Sequence, residues 1–154
     1  VLKDNDVRAT FFVDGVLLKE DSILITSLLE DFHEIELLNN KNNYDKLIFE
    51  EELDSLQVIA NRRGKYCLAK YDQKEILELC SKEKMHTIIP TMQISSKPYL
   101  SVKGKIREGA IISISVTKEN ISELDVLIKY IKQRGYTLDT LEQLLSEARN
   151  INEK

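Results

Sequence analysis

Hydrophobic and polar positions along the chain follow two alternating patterns: short continuous apolar runs and longer stripes with helical spacing. The run "RATFFVDG" at 8–15 is typical of a strand buried on both faces and closed by a glycine. The next stretch places Ile25, Leu28, Leu29 and Phe32 on one side of a helix, with Asp21 or Ser22 available as its cap. The chain is therefore expected to begin with a strand followed by a helix.

The same alternation continues to the C-terminus. The pattern predicts further strands over about 34–38 and in the runs "KYCLAKY", "HTIIPTM", "GAIISISV" and "YTLDT". Between them it predicts helices over about 44–63, after the "DQKE" capping box at 72–75, after a second capping box formed by Asn120 and Glu123, and over "TLEQLLSEA" with Thr140 as cap. Gly64 is expected to close the helix over 44–63, and Pro90 makes its strand irregular or an edge strand.

Strands that alternate with helices predict an α/β domain with a mainly parallel sheet. The 154 residues suit one domain over 1–154, and no repeat or linker divides them.

Composition narrows the function classes. Charged residues make up 31% and apolar residues 42%, and the formal net charge is −4 without a basic stripe, so nucleic-acid binding is not expected. No apolar run approaches the roughly 20 residues of a membrane-spanning helix. Cys67 and Cys80 lie thirteen residues apart and do not have metal-site spacing, which favours two small buried apolar side chains and leaves the compartment open.

Several stretches resemble the polysaccharide deacetylases, whose shared unit is the chitooligosaccharide-deacetylase homology domain. The stretch "VLKDNDVRATFFVDG" resembles the end of the first helix and the second strand of that family. "HEIELLNN" resembles its His-Glu-Ile strand, and "KYDQKEILELCSKEKMHTIIPTM" resembles the helix and strand that follow its Arg-Pro-Pro loop. "REGAIISISV" with "LDVLIKYIKQRGYTLDTLEQLLSE" resembles its last strand and helix, so the resemblance covers essentially the whole chain.

The resemblance implies a distorted (β/α)7-type barrel, here expected to be incomplete because the chain starts downstream of the family's first strand. It also implies metal-dependent removal of acetyl groups from amino sugars. In such a reaction a divalent ion held by one aspartate and two histidines polarises the amide carbonyl and activates water. A carboxylate then acts as base, and a histidine protonates the leaving amine.

The family's functional positions carry other side chains here. The acidic pair belongs to the first strand, upstream of Val1. The two metal histidines fall on Leu38 and Asn42, which cannot replace them. The Arg-Pro-Pro loop falls on "CLAKY" around Leu68, or on "NRRGKY", which keeps only Arg62. The remaining aspartate and histidine positions fall on Gln93 and Ser115.

Three further side chains could line a groove: Asp14, His33 and Tyr71. Each also has an ordinary structural explanation: a turn carboxylate, a histidine at a strand start and a packed aromatic ring. The loop "SSKPYLSVKGK" is a candidate for partner contact on composition alone.

The sequence thus predicts a catalytically degenerate deacetylase-like domain that needs no cofactor. Its expected partners are a polysaccharide or an envelope protein, and its expected location is extracytoplasmic or at the bacterial cell envelope. The alternative is a divergent polysaccharide or peptidoglycan N-deacetylase that binds a metal such as zinc and takes its acidic motif from upstream of Val1. Separately, an open parallel edge could pair with another chain.

Overall fold

The computed structural model describes the backbone of residues 1–39, 45–68 and 74–152. The chain divides into two compact units, one formed by residues 10–89 and the other by residues 1–9 together with 90–154. The expectation of one domain over 1–154 stays a prediction.

The unit of residues 10–89 contains two pairs of parallel strands. Its elements are β1 (Thr10–Val13), α1 (Gly15–Glu20), α2 (Ser22–Glu30), β2 (Glu34–Leu37), α3 (Lys46–Ala60), β3 (Tyr66–Leu68), α4 (Lys74–Lys82) and β4 (His86–Ile88). Strand β1 pairs with β2, with Thr10 opposite Glu34 and Val13 opposite Leu37. Strand β3 pairs with β4, with Tyr66 opposite His86.

The core of this unit forms where α2 and α3 pack against β2. Both helices carry an apolar stripe. Short helices are barely stable in isolation, so burying these stripes supplies most of their stabilisation. The fully buried apolar side chains of these three elements are Ile25, Ile35, Leu37, Phe49, Leu53 and Leu56.

Aspartates fix the starts of three helices in this unit. Asp14, Asp21 and Asp45 each accept the amide hydrogen three residues ahead, which satisfies a donor that the helix start leaves unpaired. Asp21 ends α1 and also caps α2. The predicted helix is therefore preceded by a separate short helix, α1.

Three details of the prediction for this unit are wrong. Strand β1 is not buried on both faces, since only Val13 of its four residues is fully enclosed. Gly15 begins α1 and does not close a turn. Helix α3 ends earlier than predicted, because Asn61 and not Gly64 adopts the left-handed closing conformation, with φ of 53°. The "DQKE" capping box includes residues outside the described part of the chain.

The other unit contains a 3-10 helix (Lys3–Asn5), β5 (Met92–Ile94), α5 (Pro98–Val102), β6 (Ile112–Ile114), α6 (Lys118–Gln133) and α7 (Leu141–Asn152). Strands β5 and β6 are parallel, with Met92 opposite Ile112. Its core joins β5, α5 and α6 through Ile94, Val102, Leu127 and Ile131.

The structure also corrects three predictions around this unit. The run "HTIIPTM" forms two strands, since β4 ends at Ile88, before Pro90, and β5 begins at Met92. Helix α6 begins three residues earlier than expected, because Thr117 and not Asn120 is the cap that accepts an amide hydrogen. "YTLDT" is not a strand. The prediction that Thr140 caps the last helix is confirmed, since Thr140 Oγ1 accepts from the amide of Gln143 at 3.3 Å.

The predicted class, α/β with parallel strands, is confirmed: all three strand pairs in the described residues are parallel. Over the same ranges, no helix combines the length and the apolar character that a bilayer crossing requires.

Candidate functional site

The carboxyl ends of β1 and β2 meet at one edge of their strand pair, where α/β proteins commonly place functional groups. The amide of Leu38 donates to the carbonyl of Val13 at 2.7 Å, which extends the pairing to this edge. Asp14 follows directly, but its Oδ1 accepts from the amide of Leu17 at 2.9 Å and caps α1. The carboxylate of Asp14 therefore already has a structural role.

Asn39 lies next to Leu38 and is buried. Its Nδ2 lies 3.6 Å from Sγ of Cys67 and 3.7 Å from Sγ of Cys80, and its Oδ1 is enclosed without a hydrogen-bond partner among the described residues. The side chain is thus oriented by two sulfur contacts, and it offers a neutral amide where the family resemblance implies metal chemistry.

Cys67 and Cys80 form a disulfide that joins β3 to α4. Both are fully buried, as predicted. Their spacing gave no sign of the bond, because the sequence does not reveal that α4 folds back beside β3. Leu68 follows Cys67 as the last residue of β3 and is half-buried.

Sequence reasoning missed a buried carboxylate of this unit, Glu36. Its side chain is fully buried, accepts hydrogen bonds from the backbone amides of Lys65 and Tyr66, and pairs with the guanidinium of Arg62. Burial raises the pKa of Glu36 from about 4.5 to about 7, although Arg62 and the two amides lower it. In the sequence Glu36 alternates with the apolar residues Ile35 and Leu37, a pattern that is also typical of a strand with one exposed polar face, so the pattern gives no sign of a buried carboxylate.

Of the groove predicted from Asp14, His33 and Tyr71, the structure describes Asp14 and His33, so the groove stays a prediction. His33 is buried just before the amino end of β2, where its ring contacts Phe11 edge-on at 5.2 Å between centroids. Asp14 follows the carboxyl end of β1, so the length of a four-residue strand, about 13 Å, lies between their positions. Tyr71 lies outside the described residues.

The ends of β5 and β6 in the other unit are joined by one buried amide. Nδ2 of Asn120 donates to the carbonyls of Ser95 at 3.0 Å and Ser115 at 2.8 Å. Ser115 directly follows β6 and its side chain is exposed, while Gln93 is an exposed residue in the middle of β5, opposite Ser113. Ser115 thus presents a hydroxyl at a strand end, and Gln93 does not lie at that end.

A divalent metal does not fit the described residues at either set of strand ends, because zinc prefers imidazole, thiolate and carboxylate. At the ends of β1 and β2, Leu38 has no donor atom and Asp14 is engaged as a helix cap. At the ends of β5 and β6, Ser115 is a neutral hydroxyl. Within residues 1–39, 45–68 and 74–152, no group of three or more histidine, cysteine or acidic side chains is arranged to hold a metal ion. Asn42, at the second histidine position, lies outside these ranges.

Comparison with known proteins gives relatives in sequence and in structure. No model of a known protein family matches the chain. The uncharacterized protein YlxY of Bacillus subtilis (strain 168) is 27% identical over 168 residues, which cover 97% of this chain and 52% of YlxY. The chain therefore spans about half the length of this relative.

Solved structures also match most of the chain. BA3943 from Bacillus anthracis, described as a CE4 family pseudoenzyme, superposes with a TM-score of 0.80 at 21% identity, covering 94% of this chain and 57% of BA3943. The peptidoglycan deacetylase PdaC from Bacillus subtilis superposes with a TM-score of 0.77 at 19% identity, covering 99% of this chain and 84% of PdaC. The family resemblance read from the sequence is confirmed at the level of the fold: the chain has the polysaccharide deacetylase-like fold of the CE4 proteins.

Proposed function

We propose that this chain is a catalytically degenerate deacetylase-like domain that binds carbohydrate as a module of the bacterial cell envelope. The observation that carries the proposal is the side chain at the end of β2. Leu38 stands there, at the position that the family resemblance assigns to a metal histidine, and it has no atom that can coordinate a cation.

Two further features support the proposal. The exposed Ser115 at the end of β6 is a poor proton donor to an amine, because a serine hydroxyl does not titrate near neutral pH as an imidazole does. Related folds of both kinds exist, since BA3943 is described as a pseudoenzyme and PdaC as a peptidoglycan deacetylase. A fold retained without the reactive groups is suited to recognising the polymer that its relatives modify.

The disulfide between Cys67 and Cys80 supports a location at the envelope. Disulfides form and persist in oxidising compartments and are rare in the reducing cytosol. The peptidoglycan deacetylases among the structural neighbours point to the same surroundings.

The alternative is a divergent N-deacetylase that takes its acidic motif from residues upstream of Val1. A variant of BA3943 is described as a pseudoenzyme with restored enzymatic activity, so substitution can turn an inactive protein of this fold into an active one. The alternative requires a metal and acetate release, and both are measurable.

The test measures zinc content after dialysis against zinc, acetate release from N-acetylglucosamine oligomers, and retention on insoluble peptidoglycan. We expect no zinc held in a 1:1 ratio, no acetate above the level of a boiled sample, and retention on the polymer. One tightly held zinc ion per chain, or acetate release above the level of the boiled sample, would overturn the degenerate assignment. Failure of the protein to stay on peptidoglycan would overturn the carbohydrate-binding role.

A further inference from the structure

The segment of residues 97–107, here called the basic segment, concentrates positive charge on an otherwise acidic chain. It carries Lys97, Lys103, Lys105 and Arg107 and contains no aspartate or glutamate. Since the whole chain has a formal net charge of −4, the residues outside the basic segment together carry −8. Cations and acidic residues are mixed over most of the chain, so this concentration is a local feature.

All four cationic side chains of the basic segment are exposed, and none forms an ion pair with a carboxylate of the described residues. Other cations of the chain are engaged, such as Lys19 with Glu51 and Lys129 with Asp125. The charge of the basic segment is therefore available to an external anion.

The basic segment is held in a defined shape by its apolar residues. Val102 is fully buried and Ile106 packs against the same core, so the chain is anchored between the cationic positions. The amide of Lys105 donates to the carbonyl of Val102 at 2.9 Å, which closes a turn after α5. Fixed cations lose less conformational entropy on binding than cations on a mobile loop.

Two tyrosines make contacts that hold the basic segment in its conformation. The rings of Tyr99 and Tyr130 meet edge to face at 5.4 Å, and the hydroxyl of Tyr130 accepts from the amide of Gly104 at 2.9 Å. The ammonium of Lys103 lies 5.7 Å from the centre of the Tyr99 ring, within the range of a cation–π contact. Lys103 is thus positioned by an aromatic ring and is not fully extended into solvent.

The start of α5 fixes the backbone of Lys97. Lys97 has a left-handed backbone conformation, with φ of 49°, although a proline disfavours helical conformations in the residue before it. The hydroxyl of Ser101 donates to the carbonyl of Lys97 at 2.9 Å, and the Ser101 amide donates to it at 3.0 Å. These two bonds hold Lys97 beside the first turn of α5.

We propose that the basic segment binds an anionic polysaccharide, a sugar polymer carrying carboxylate or phosphate groups. The inference rests on the proposed carbohydrate-binding role and names the class of glycan. Charge complementarity selects an anion. A nucleic acid is disfavoured because the sequence has no basic stripe beyond this short segment, and its formal net charge is −4. A membrane surface is disfavoured because Leu100 is the only large apolar residue of the segment that is exposed.

The test compares binding of polygalacturonate oligosaccharides with binding of neutral chitooligosaccharides at low and high salt. The variant Lys97→Gln/Lys103→Gln/Lys105→Gln/Arg107→Gln should weaken polygalacturonate binding at least about tenfold, because each cation near an anionic surface contributes measurably. The matched control, Lys82→Gln/Lys84→Gln/Lys118→Gln/Arg134→Gln, removes the same charge from other exposed positions and should change it less than about threefold.

Several results would overturn the inference. Equal loss in the two quadruple variants would mean that net charge and not the basic segment governs binding. Equal or tighter binding of a single-stranded DNA 20-mer, or of vesicles containing anionic lipid, would assign the surface to another partner. Binding of neutral and anionic oligosaccharides with equal affinity would sink this inference and leave the proposed function intact, whereas metal-dependent acetate release would sink the proposed function alone.

Discussion

Oε2 of Glu36 accepts a hydrogen bond from the backbone amide of Lys65 at 3.0 Å, across the gap between β2 and β3. The amide of Tyr66 donates to the same oxygen at 3.2 Å. Within the described residues these strands belong to different strand pairs, so one buried carboxylate supplies an acceptor for the amides at the start of β3. Glu36 therefore links two strand pairs within one unit.

This link predicts a pH-dependent stability. Burial raises the pKa of Glu36 to about 7 in the folded protein, above its ordinary value of about 4.5. The contribution of Glu36 is therefore fully present below about pH 4.5 and is lost as pH rises through 7. Between pH 5 and pH 8 we expect this group to lower the free energy of unfolding by about 1–3 kcal/mol.

Urea unfolding at several pH values measures this effect. Glu36→Gln keeps an acceptor oxygen for the Lys65 amide but cannot ionise, so its stability should change less between pH 5 and pH 8 than that of the wild type. Glu51→Gln, at an exposed carboxylate, should keep the wild-type slope. An unchanged slope in Glu36→Gln would rule out Glu36 as the titrating group.

The close approach of the Glu52 side chain predicts that a side chain at Gly15 is costly. A Cβ atom built on Gly15 would lie 2.1 Å from Oε1 of Glu52, a buried carboxylate of α3. Gly15→Ala should therefore destabilise the protein by about 1–3 kcal/mol through overpacking. Thermal unfolding measures the loss, and the substitution should cost less in a Glu52→Ala background because the clash is gone. Equal costs in both backgrounds would contradict this explanation.

The buried amide of Asn120 predicts a large cost when it is replaced. Asn120→Leu leaves the carbonyls of Ser95 and Ser115 without their donor, and each carbonyl that stays buried without another partner costs about 1–3 kcal/mol. Gln93→Ala changes an exposed side chain of β5 and should stay within about 0.5 kcal/mol of the wild type. Chemical denaturation compares the two variants. Similar stabilities would mean that Asn120 does not join the ends of β5 and β6.

The disulfide predicts a further stability difference. Cys67→Ala/Cys80→Ala should lower the free energy of unfolding by about 3 kcal/mol or more. The bond joins residues thirteen positions apart and so restricts the unfolded chain, and both sulfurs pack in the core. After mild reductant treatment, the folded wild type should resist alkylation, whereas the urea-unfolded protein should gain two alkyl labels. Mass spectrometry counts the labels. Rapid labelling of the folded wild type would contradict burial of the sulfurs.

Patterns of apolar residues were sufficient to predict the α/β class and most of the elements. The stripe that contains Leu53 and Leu56 predicted α3, and the run containing Ile35 and Leu37 predicted β2. Boundaries were less accurate, because they depend on single hydrogen bonds. Thr117 and Asp21 decide where two helices begin, and several residues near each of them have side chains that can cap.

The site itself was only partly predictable. The family resemblance placed Leu38 and Ser115 at strand ends, and in the structure they directly follow β2 and β6. The Glu36 network was not predictable, because local spacing does not reveal that Arg62 and the Lys65 amide face a carboxylate from a different strand. The same holds for Asn39, whose sulfur contacts depend on long-range packing.

The sealed position of the Cys67 and Cys80 sulfurs carries a consequence for biogenesis. Both atoms have no solvent exposure, so an oxidant must reach them before the surrounding core closes. A chain that matures in a reducing environment would enclose two thiols that later oxidants cannot reach. The oxidation state of the isolated protein would then record the redox conditions under which the chain folded.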